Sequence, residues 1–213
     1  MSIELSVGIN VAKKLDKIAQ NFYNNDEYDK GILIINSIFD MLAKNNWTKE
    51  IATKDPEFLG WLYNQKGAFF HMKGEYIKAI RCYNTANKLI STGSIPLNNK
   101  GLLYFTLRDF KKAKICYNKA LIIDPDSIEA LNGKAESLAN LENHRQAIIG
   151  YKKSLSLDSN QSQIWANLAT SLYFEKKFIE AKTAVDESLR LKPNFEFAIT
   201  ISEMIDRKLL PQS

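Results

Sequence analysis

Side-chain amides recur along this chain at multiples of one fixed interval. They form two adjacent series, Asn64, Asn98 and Asn132 in the first and Gln65, Asn99 and Asn167 in the second. One amide can donate to a carbonyl and accept from an N–H at the same time, so a row of amides suits an extended peptide backbone. Composition offers a competing explanation, because 19 of the 213 residues are asparagine.

The other reactive side chains form no catalytic or metal-binding constellation. His71 and His144 are the only histidines, and His144 falls where aromatic rings recur, which favours a packed ring over a catalytic base. Cys82 and Cys116 are separated by the same interval as the amides, a spacing that predicts two packed thiols rather than a disulfide or a metal site. The sequence therefore predicts a protein that is not an enzyme and that needs no cofactor.

The amides belong to a repeat that the small residues of the chain also follow. Small residues mark two positions of each unit, namely Gly67, Gly101, Ala135 and Ala169, then Ala79, Ala113, Ala147 and Ala181. Bulky side chains recur between them: Tyr76, Phe110, His144 and Phe178. Small residues let two helices approach closely and large ones fill the gaps around them. One such hairpin cannot bury its apolar face alone, so the units must stack.

This pattern resembles the tetratricopeptide repeat (TPR), a pair of antiparallel helices that spans about 34 residues. The resemblance implies an all-α fold, a right-handed α-solenoid of TPR helical hairpins. We assign four repeats, at 60–93, 94–127, 128–161 and 162–195. The first helix of this series is expected to begin near Pro56, because Asp55 is a good N-cap and proline is favoured in the first turn.

The two ends of the chain depart from the regular repeat. Within residues 1–59, residues 12–45 resemble a degenerate hairpin, and an insertion at 46–59 separates it from the next unit. Residues 196–213 are predicted to form a C-terminal capping helix and a tail. Such a helix would cover the open apolar face of the last hairpin.

The resemblance places the first helix of each repeat on a concave, peptide-binding face. The implied site residues are Asn64, Gln65, Asn98, Asn99, Asn132, Asn167, Trp61, His71, Phe105 and Tyr173. Packing between neighbouring helices is the alternative role for the aromatic members. Co-chaperones of this family grip a C-terminal carboxylate with cationic side chains, but the positions equivalent to those cations here hold Asn64, Glu129 and Gly133. A clamp of that kind is disfavoured.

Charge and hydropathy narrow the classes of partner. Residues 60–127 carry 11 basic and 4 acidic side chains, a net charge of +7, which indicates either solvated lysines or a partner with acidic segments. The lysines are dispersed and no nucleic-acid motif accompanies them, so no nucleic acid is expected. No apolar run approaches the roughly 20 residues that cross a bilayer, and the N-terminus resembles no secretion signal. We expect no membrane insertion and a cytoplasmic location.

The sequence therefore predicts a module that binds a peptide or protein segment in a concave groove, acting as an adaptor or assembly chaperone. The alternative is a self-assembling structural scaffold that recruits other proteins, which implies self-association.

Overall fold

The computed structural model describes residues 3–90 and 92–210 of the chain. Over those ranges it contains twelve α-helices and no strand, so the predicted all-α class of helical hairpins is confirmed. The helices are α1 (Ile3–Asn24), α2 (Tyr28–Lys44), α3 (Trp47–Lys54), α4 (Pro56–Met72), α5 (Tyr76–Leu89), α6 (Ile95–Thr106), α7 (Phe110–Ile123), α8 (Ile128–Asn140), α9 (His144–Leu157), α10 (Ser162–Phe174), α11 (Phe178–Leu191) and α12 (Glu196–Leu209). The four predicted repeats correspond to the helix pairs α4 and α5, α6 and α7, α8 and α9, and α10 and α11, with α4 beginning before the predicted frame at residue 60.

Helix entry follows the capping chemistry of the sequence. The Asp55 side chain accepts from the Phe58 backbone N–H, and Pro56 is the first residue of α4, where the sequence predicts it. Asp109, Ser127 and Asn143 cap α7, α8 and α9 in the same way. Each cap satisfies one of the backbone N–H groups that the first turn of a helix leaves without an intrahelical acceptor.

A left-handed residue turns the chain within each hairpin, and it recurs at one position of the repeat frame. These residues are Asp26, Gly74, Arg108, Glu142 and Lys176, with φ between 58° and 75°. The next backbone N–H donates to a carbonyl five residues earlier, as from Glu75 to Phe70 and from Lys177 to Leu172. This is the Schellman arrangement that ends a helix in a left-handed residue. The degenerate N-terminal hairpin therefore has the same turn geometry as the regular ones.

The chain divides into two compact units, one ending at Leu103 and the other beginning at Tyr104, within α6. In the first unit α1 packs on α2, while α2 and α3 both pack on α4. α1 begins no later than Ile3, well before the predicted hairpin start at residue 12, and the insertion at 46–59 forms α3 and the first turn of α4. Residues 1 and 2 lie outside the described residues.

Glycine permits a close helix contact in the first unit. A Cβ on Gly31 would lie 2.1 Å from the ring of Phe69, so a larger residue at that position would collide with α4. Gly31 thus lowers the helix propensity of α2 but permits the Phe69 ring to lie close to the α2 backbone.

The second unit has its own core, which contains residues of α8 to α12. α12 packs on α11 and α10, and it contributes Ala198, Ile201 and Ile205, so the predicted C-terminal capping helix is present. Residues 211–213 of the predicted tail lie outside the described residues.

The alanines of the predicted repeat register are Ala79, Ala113, Ala147 and Ala181, and all have an exposed fraction of 0%.

Candidate functional site

In the first unit, two of the predicted amides bond to each other. The Asn99 Nδ2 donates to Asn64 Oδ1 over 2.9 Å, joining α6 to α4. Asn64 is only 2% exposed, so its side chain packs between α4 and α6 and is not open to a ligand. Asn98 is half-buried on α6. The recurrence of amides in this unit is therefore explained in part by packing of the helices that carry them.

Three further predicted site residues on α4 face other helices of the first unit. Trp61 Nε1 donates to Asp16 Oδ2 over 3.0 Å, and the Gln65 amide donates to the side chain of Gln20, so both contact α1. His71 is half-buried with its ring edge-on to Tyr76 of α5, and burial lowers its pKa. The N-terminal helix α1 therefore contacts Trp61 and Gln65, two side chains that were expected to meet a peptide.

In the second unit, the amides of Asn132 and Asn167 bond to side chains of other segments. Asn132 Nδ2 donates to Gln161 Oε1 over 2.7 Å, while Asn132 Oδ1 is buried without a hydrogen-bond partner among the described residues. Asn167 Nδ2 donates to Glu136 Oε1 over 2.9 Å, and Asn167 Oδ1 accepts from Gln163 over 3.0 Å. Asn167 thereby joins α10 to α8.

A cleft of about 400 Å³ opens beside this Asn167–Glu136 contact. It combines two predicted site residues, Phe105 and Asn167, with side chains that sequence reasoning did not assign to a site. Its lining consists of Phe105, Glu136, Ala139, Asn140, His144, Tyr151, Gln163, Asn167, Thr170, Ser171 and Phe174. We refer to this surface as the acidic cleft, because Glu136 is the only Asp, Glu, Lys or Arg in that lining.

Aromatic rings form part of the wall of the acidic cleft. His144 stacks on Phe174 with ring centroids 4.6 Å apart and an angle of 10° between the planes. Phe174 is 57% exposed, so it presents its ring to solvent and to any ligand. Tyr173, the predicted anchor, instead packs edge-on against Phe178, 5.6 Å away, and against the core. Phe174 therefore holds the exposed position that was predicted for Tyr173.

Three polar groups of the acidic cleft lack full hydrogen bonding. Burial raises the pKa of Glu136, and the hydrogen bond from Asn167 opposes that rise. Ser171 is 1% exposed, and neither its Oγ nor His144 Nδ1 has a hydrogen-bond partner in the described part of the chain. Buried polar groups are ordinarily paired with protein or water, so these atoms mark a site with unused hydrogen-bonding capacity.

The sequence carried a weak signal for this cleft. Glu136 and Asn140 lie at positions of the third repeat that the TPR resemblance assigns to the concave face, but neither is among the predicted site residues. Ser171 gives no signal, because it lies outside the positions that the resemblance assigns to ligands. Only the packing of α10 on α8 and α9 brings these side chains together.

A larger cleft of about 530 Å³ lies among α7, α8 and α9. Its lining is mainly aliphatic, with Lys134 and Lys153 among the residues that surround it. Lys153 already pairs with Asp126 at 3.0 Å and donates to the Pro125 carbonyl. Among the atoms that line this second cleft, none is a buried polar side-chain atom without a partner. Its lining therefore provides no buried, unpaired polar group that would orient a ligand.

The described ranges, residues 3–90 and 92–210, contain neither a metal-binding cluster nor a membrane-spanning helix. No three His, Cys, Asp or Glu side chains in these ranges converge to hold a metal ion. Cys82 and Cys116 are each buried. Over the same ranges, every helix is too short or too polar to span a bilayer.

Comparison with known proteins agrees with the hairpin geometry. The family model for the tetratricopeptide repeat matches residues 95–127. No curated protein matches the chain by sequence. Among solved structures, pilF of Pseudomonas aeruginosa superposes with a TM-score of 0.72 at 18% identity, over 97% of this chain and 95% of that one.

Two further solved structures are described with peptide binding. YrrB, a TPR protein with an unusual peptide-binding site, has a TM-score of 0.66 at 14% identity, over 89% of this chain and 90% of that one. The second TPR domain of human RPAP3, in complex with an HSP70 peptide, has a TM-score of 0.51 at 22% identity, over 53% of this chain and 94% of that one. At these identities the likeness shows a shared fold.

Proposed function

Since the chain is a tetratricopeptide-repeat protein, we propose that it binds a peptide segment of another protein in the acidic cleft and acts as an adaptor or assembly chaperone. The fold supports a protein–protein interaction module and is typically not enzymatic. The observation that carries the proposal is the composition of the cleft, where an exposed phenylalanine adjoins buried polar atoms that have no partner among the described residues.

The cleft offers a peptide both an apolar anchor and hydrogen-bonding groups. The exposed Phe174 ring can bury apolar area against a partner side chain, as aromatic hot spots do. Asn140 is exposed at the rim, where its amide can donate to a backbone carbonyl and accept from a backbone N–H. These contacts suit an internal segment of a chain, because no lysine or arginine is among the lining residues to hold a terminal carboxylate.

Selection from a random-peptide library on the immobilised full chain would test this function. Selected peptides would be labelled and titrated against the wild type, Phe174→Ala and Ile149→Ala. Ile149 is the matched control, because it is also exposed and apolar but lines the larger cleft. We expect Phe174→Ala to weaken binding by about 2 kcal/mol, as for a hot spot, and Ile149→Ala to leave it unchanged. Selection of no peptide, or loss of binding only in Ile149→Ala, would overturn the proposal.

The scaffold alternative rests on exposed isoleucines of the second helices. Ile77 and Ile179 occupy the same position of the repeat frame and are 71% and 77% exposed. Exposed apolar patches mark association surfaces when they are contiguous. Light scattering on the eluting protein from a size-exclusion column separates the two functions. A monomer at all concentrations excludes the scaffold. An oligomer that forms with rising concentration, and that the Ile179→Ser variant does not form, would favour it.

A further inference from the structure

The acidic cleft contains a carboxylate without a cationic partner among the described residues. Glu136 Oε1 accepts from Asn167, and the other carboxylate oxygen, Oε2, accepts no hydrogen bond from that part of the chain. Burial raises the pKa of Glu136 and the hydrogen bond from Asn167 opposes that rise, while no nearby lysine or arginine lowers the pKa. Arg145, which is close in sequence, pairs with Glu175 at 2.9 Å.

An unpaired, partly buried carboxylate favours a ligand that brings positive charge. Removing a carboxylate from water costs free energy unless a cation or several donors compensate it. The opening beside Glu136 leads to solvent and leaves room for a side chain, since the cleft volume is about 400 Å³. A cationic group entering there would meet the Glu136 carboxylate. The lining contains no lysine or arginine that would repel it.

The remaining lining suits the same kind of group. The Phe105 and Phe174 rings lie on the cleft surface, and a cation near the face of an aromatic ring is attracted by the ring quadrupole. A guanidinium carries five N–H donors in a planar fork and no acceptor, which matches the geometry of a carboxylate.

We propose that the acidic cleft takes a basic side chain, arginine above all, from the bound peptide, with Glu136 as its counter-ion and Phe174 as its aromatic contact. This rests on the proposed function and specifies the chemistry of its partner. It differs from the partner with acidic segments that the basic stretch at 60–127 suggests, because that stretch contributes only Phe105 to the cleft.

The experiment uses the full chain labelled with ¹⁵N and three short peptides that differ in one side chain. The probes are Ac-Gly-Ser-X-Ser-Gly-NH₂, where X is arginine, its neutral isostere citrulline, or glutamate. We expect the arginine peptide to shift the backbone amide signals of Glu136, Asn140 and Asn167, with citrulline binding about tenfold more weakly, which corresponds to about 1.4 kcal/mol. The glutamate peptide should produce no shift at these positions.

Two variants assign the preference to the carboxylate. Glu136→Gln should reduce the preference for arginine over citrulline to less than about twofold. Glu129→Gln is the matched control, because it makes the same change on the same helix outside the cleft lining, and it should keep the wild-type preference. Equal binding of arginine and citrulline in the wild type, or an unchanged preference in Glu136→Gln, overturns the basic-side-chain proposal while peptide binding in the cleft stands. If no peptide shifts the cleft signals and the library selection also fails, the proposed function falls with it.

Discussion

Asn167 Nδ2 donates to Glu136 Oε1 over 2.9 Å, which fixes the carboxylate of α8 from the neighbouring helix α10. Asn167 was predicted to contact a peptide backbone, and the structure engages its amide with Glu136 and Gln163. Its role in the proposed site is therefore to position the carboxylate. The bond leaves Glu136 Oε2 as the oxygen that remains for a ligand.

Replacing Asn167 by alanine should destabilise the second unit by about 1–3 kcal/mol, because it leaves a partly buried carboxylate oxygen without its donor. In a Glu136→Gln background the loss should be smaller, since an uncharged amide is less costly to leave unpaired. Urea unfolding of the two single variants and the double variant gives the coupling energy. Asn140→Ala, an exposed change at the same cleft, should stay within about 0.5 kcal/mol. Additive single effects would contradict a direct Asn167–Glu136 interaction.

Glu136 should make the stability of the chain fall as pH rises through the acidic range. Burial raises its folded pKa above the ordinary value of 4.5, so between the two pKa values the folded state binds more protons than the unfolded state. Stability then decreases with rising pH across that window and stays lower above it. Glu136→Gln should therefore stabilise the protein more at pH 7 than at pH 4, measured by urea unfolding at both values.

The pH experiment needs a background without the imidazole of the cleft. His144→Phe provides it, because Phe110 and Phe178 occupy the equivalent position in other repeats. The remaining titratable neighbours that sense Glu136 are Tyr117 and Tyr151, and burial raises both phenol pKa values, so these groups stay neutral throughout. A stabilisation by Glu136→Gln that is equal at both pH values, or larger at pH 4, would show that burial of this carboxylate is not coupled to folding.

The helix register could be predicted from the sequence because small residues recur with a fixed period. Ala113 has an exposed fraction of 0%, as its position predicts. The conformation of the hairpin turns could not be predicted, because the left-handed residues include Arg108, Glu142 and Lys176, whose side chains share no chemical property. Backbone hydrogen bonds to the preceding helix impose that conformation, and a side-chain pattern does not report them.

The site was harder to predict from the sequence than the fold, for a related reason. Asn167 and Phe105 were identified from the repeat frame, but Glu136 meets Asn167 through a contact between two helices that are distant in sequence. Whether an amide at a repeated position faces a ligand or a neighbouring helix depends on the side chain opposite it. Asn64 faces Asn99 and Asn167 faces Glu136, and the repeat frame alone does not distinguish these partners from a peptide.

Changing Ala113 to leucine should cost about 1–3 kcal/mol, because added methylenes in a well-packed contact force neighbouring side chains to move. The matched control is Ala43→Leu, which makes the same change at an exposed helical position and should stay within about 0.5 kcal/mol. Thermal unfolding followed by circular dichroism measures both variants. Equal melting temperatures for Ala113→Leu and the wild type would mean that the repeat register places the wrong face of α7 inward.

Glycine at position 176 should stabilise the turn between α10 and α11. Lys176 has a φ of 60° and is exposed, and a left-handed conformation costs a non-glycine residue roughly 1–2 kcal/mol. Lys176→Gly removes that cost but adds freedom to the unfolded chain, so a net gain of about 1 kcal/mol is expected in urea unfolding. Lys177→Gly is the control, because φ is −91° there and glycine brings no relief. A gain in the control equal to that of Lys176→Gly would refute the argument from backbone strain.

The amide pair of the first unit allows a separate test of whether the recurring amides serve folding or binding. Asn64 is 2% exposed and accepts from Asn99 over 2.9 Å. Either alanine variant leaves the other amide without this partner in a partly buried contact, so each should destabilise by about 1–3 kcal/mol, with the double variant costing less than the sum. Asn10→Ala, at an exposed site on α1, is the control and should stay within about 0.5 kcal/mol.

The same Asn64 and Asn99 variants should leave the affinity for a library-selected peptide within about twofold of the wild type, because the acidic cleft lies in the second unit and neither amide is among its lining residues. Titration calorimetry below the unfolding temperature of each variant measures this directly. The two measurements separate two roles for the repeated amides. Lost stability with retained affinity assigns the Asn64–Asn99 pair to helix packing, since the bond joins α4 to α6. Retained stability with an affinity loss of tenfold or more would instead return these amides to the peptide-binding role that their spacing first indicated, and the acidic cleft would no longer be the principal site.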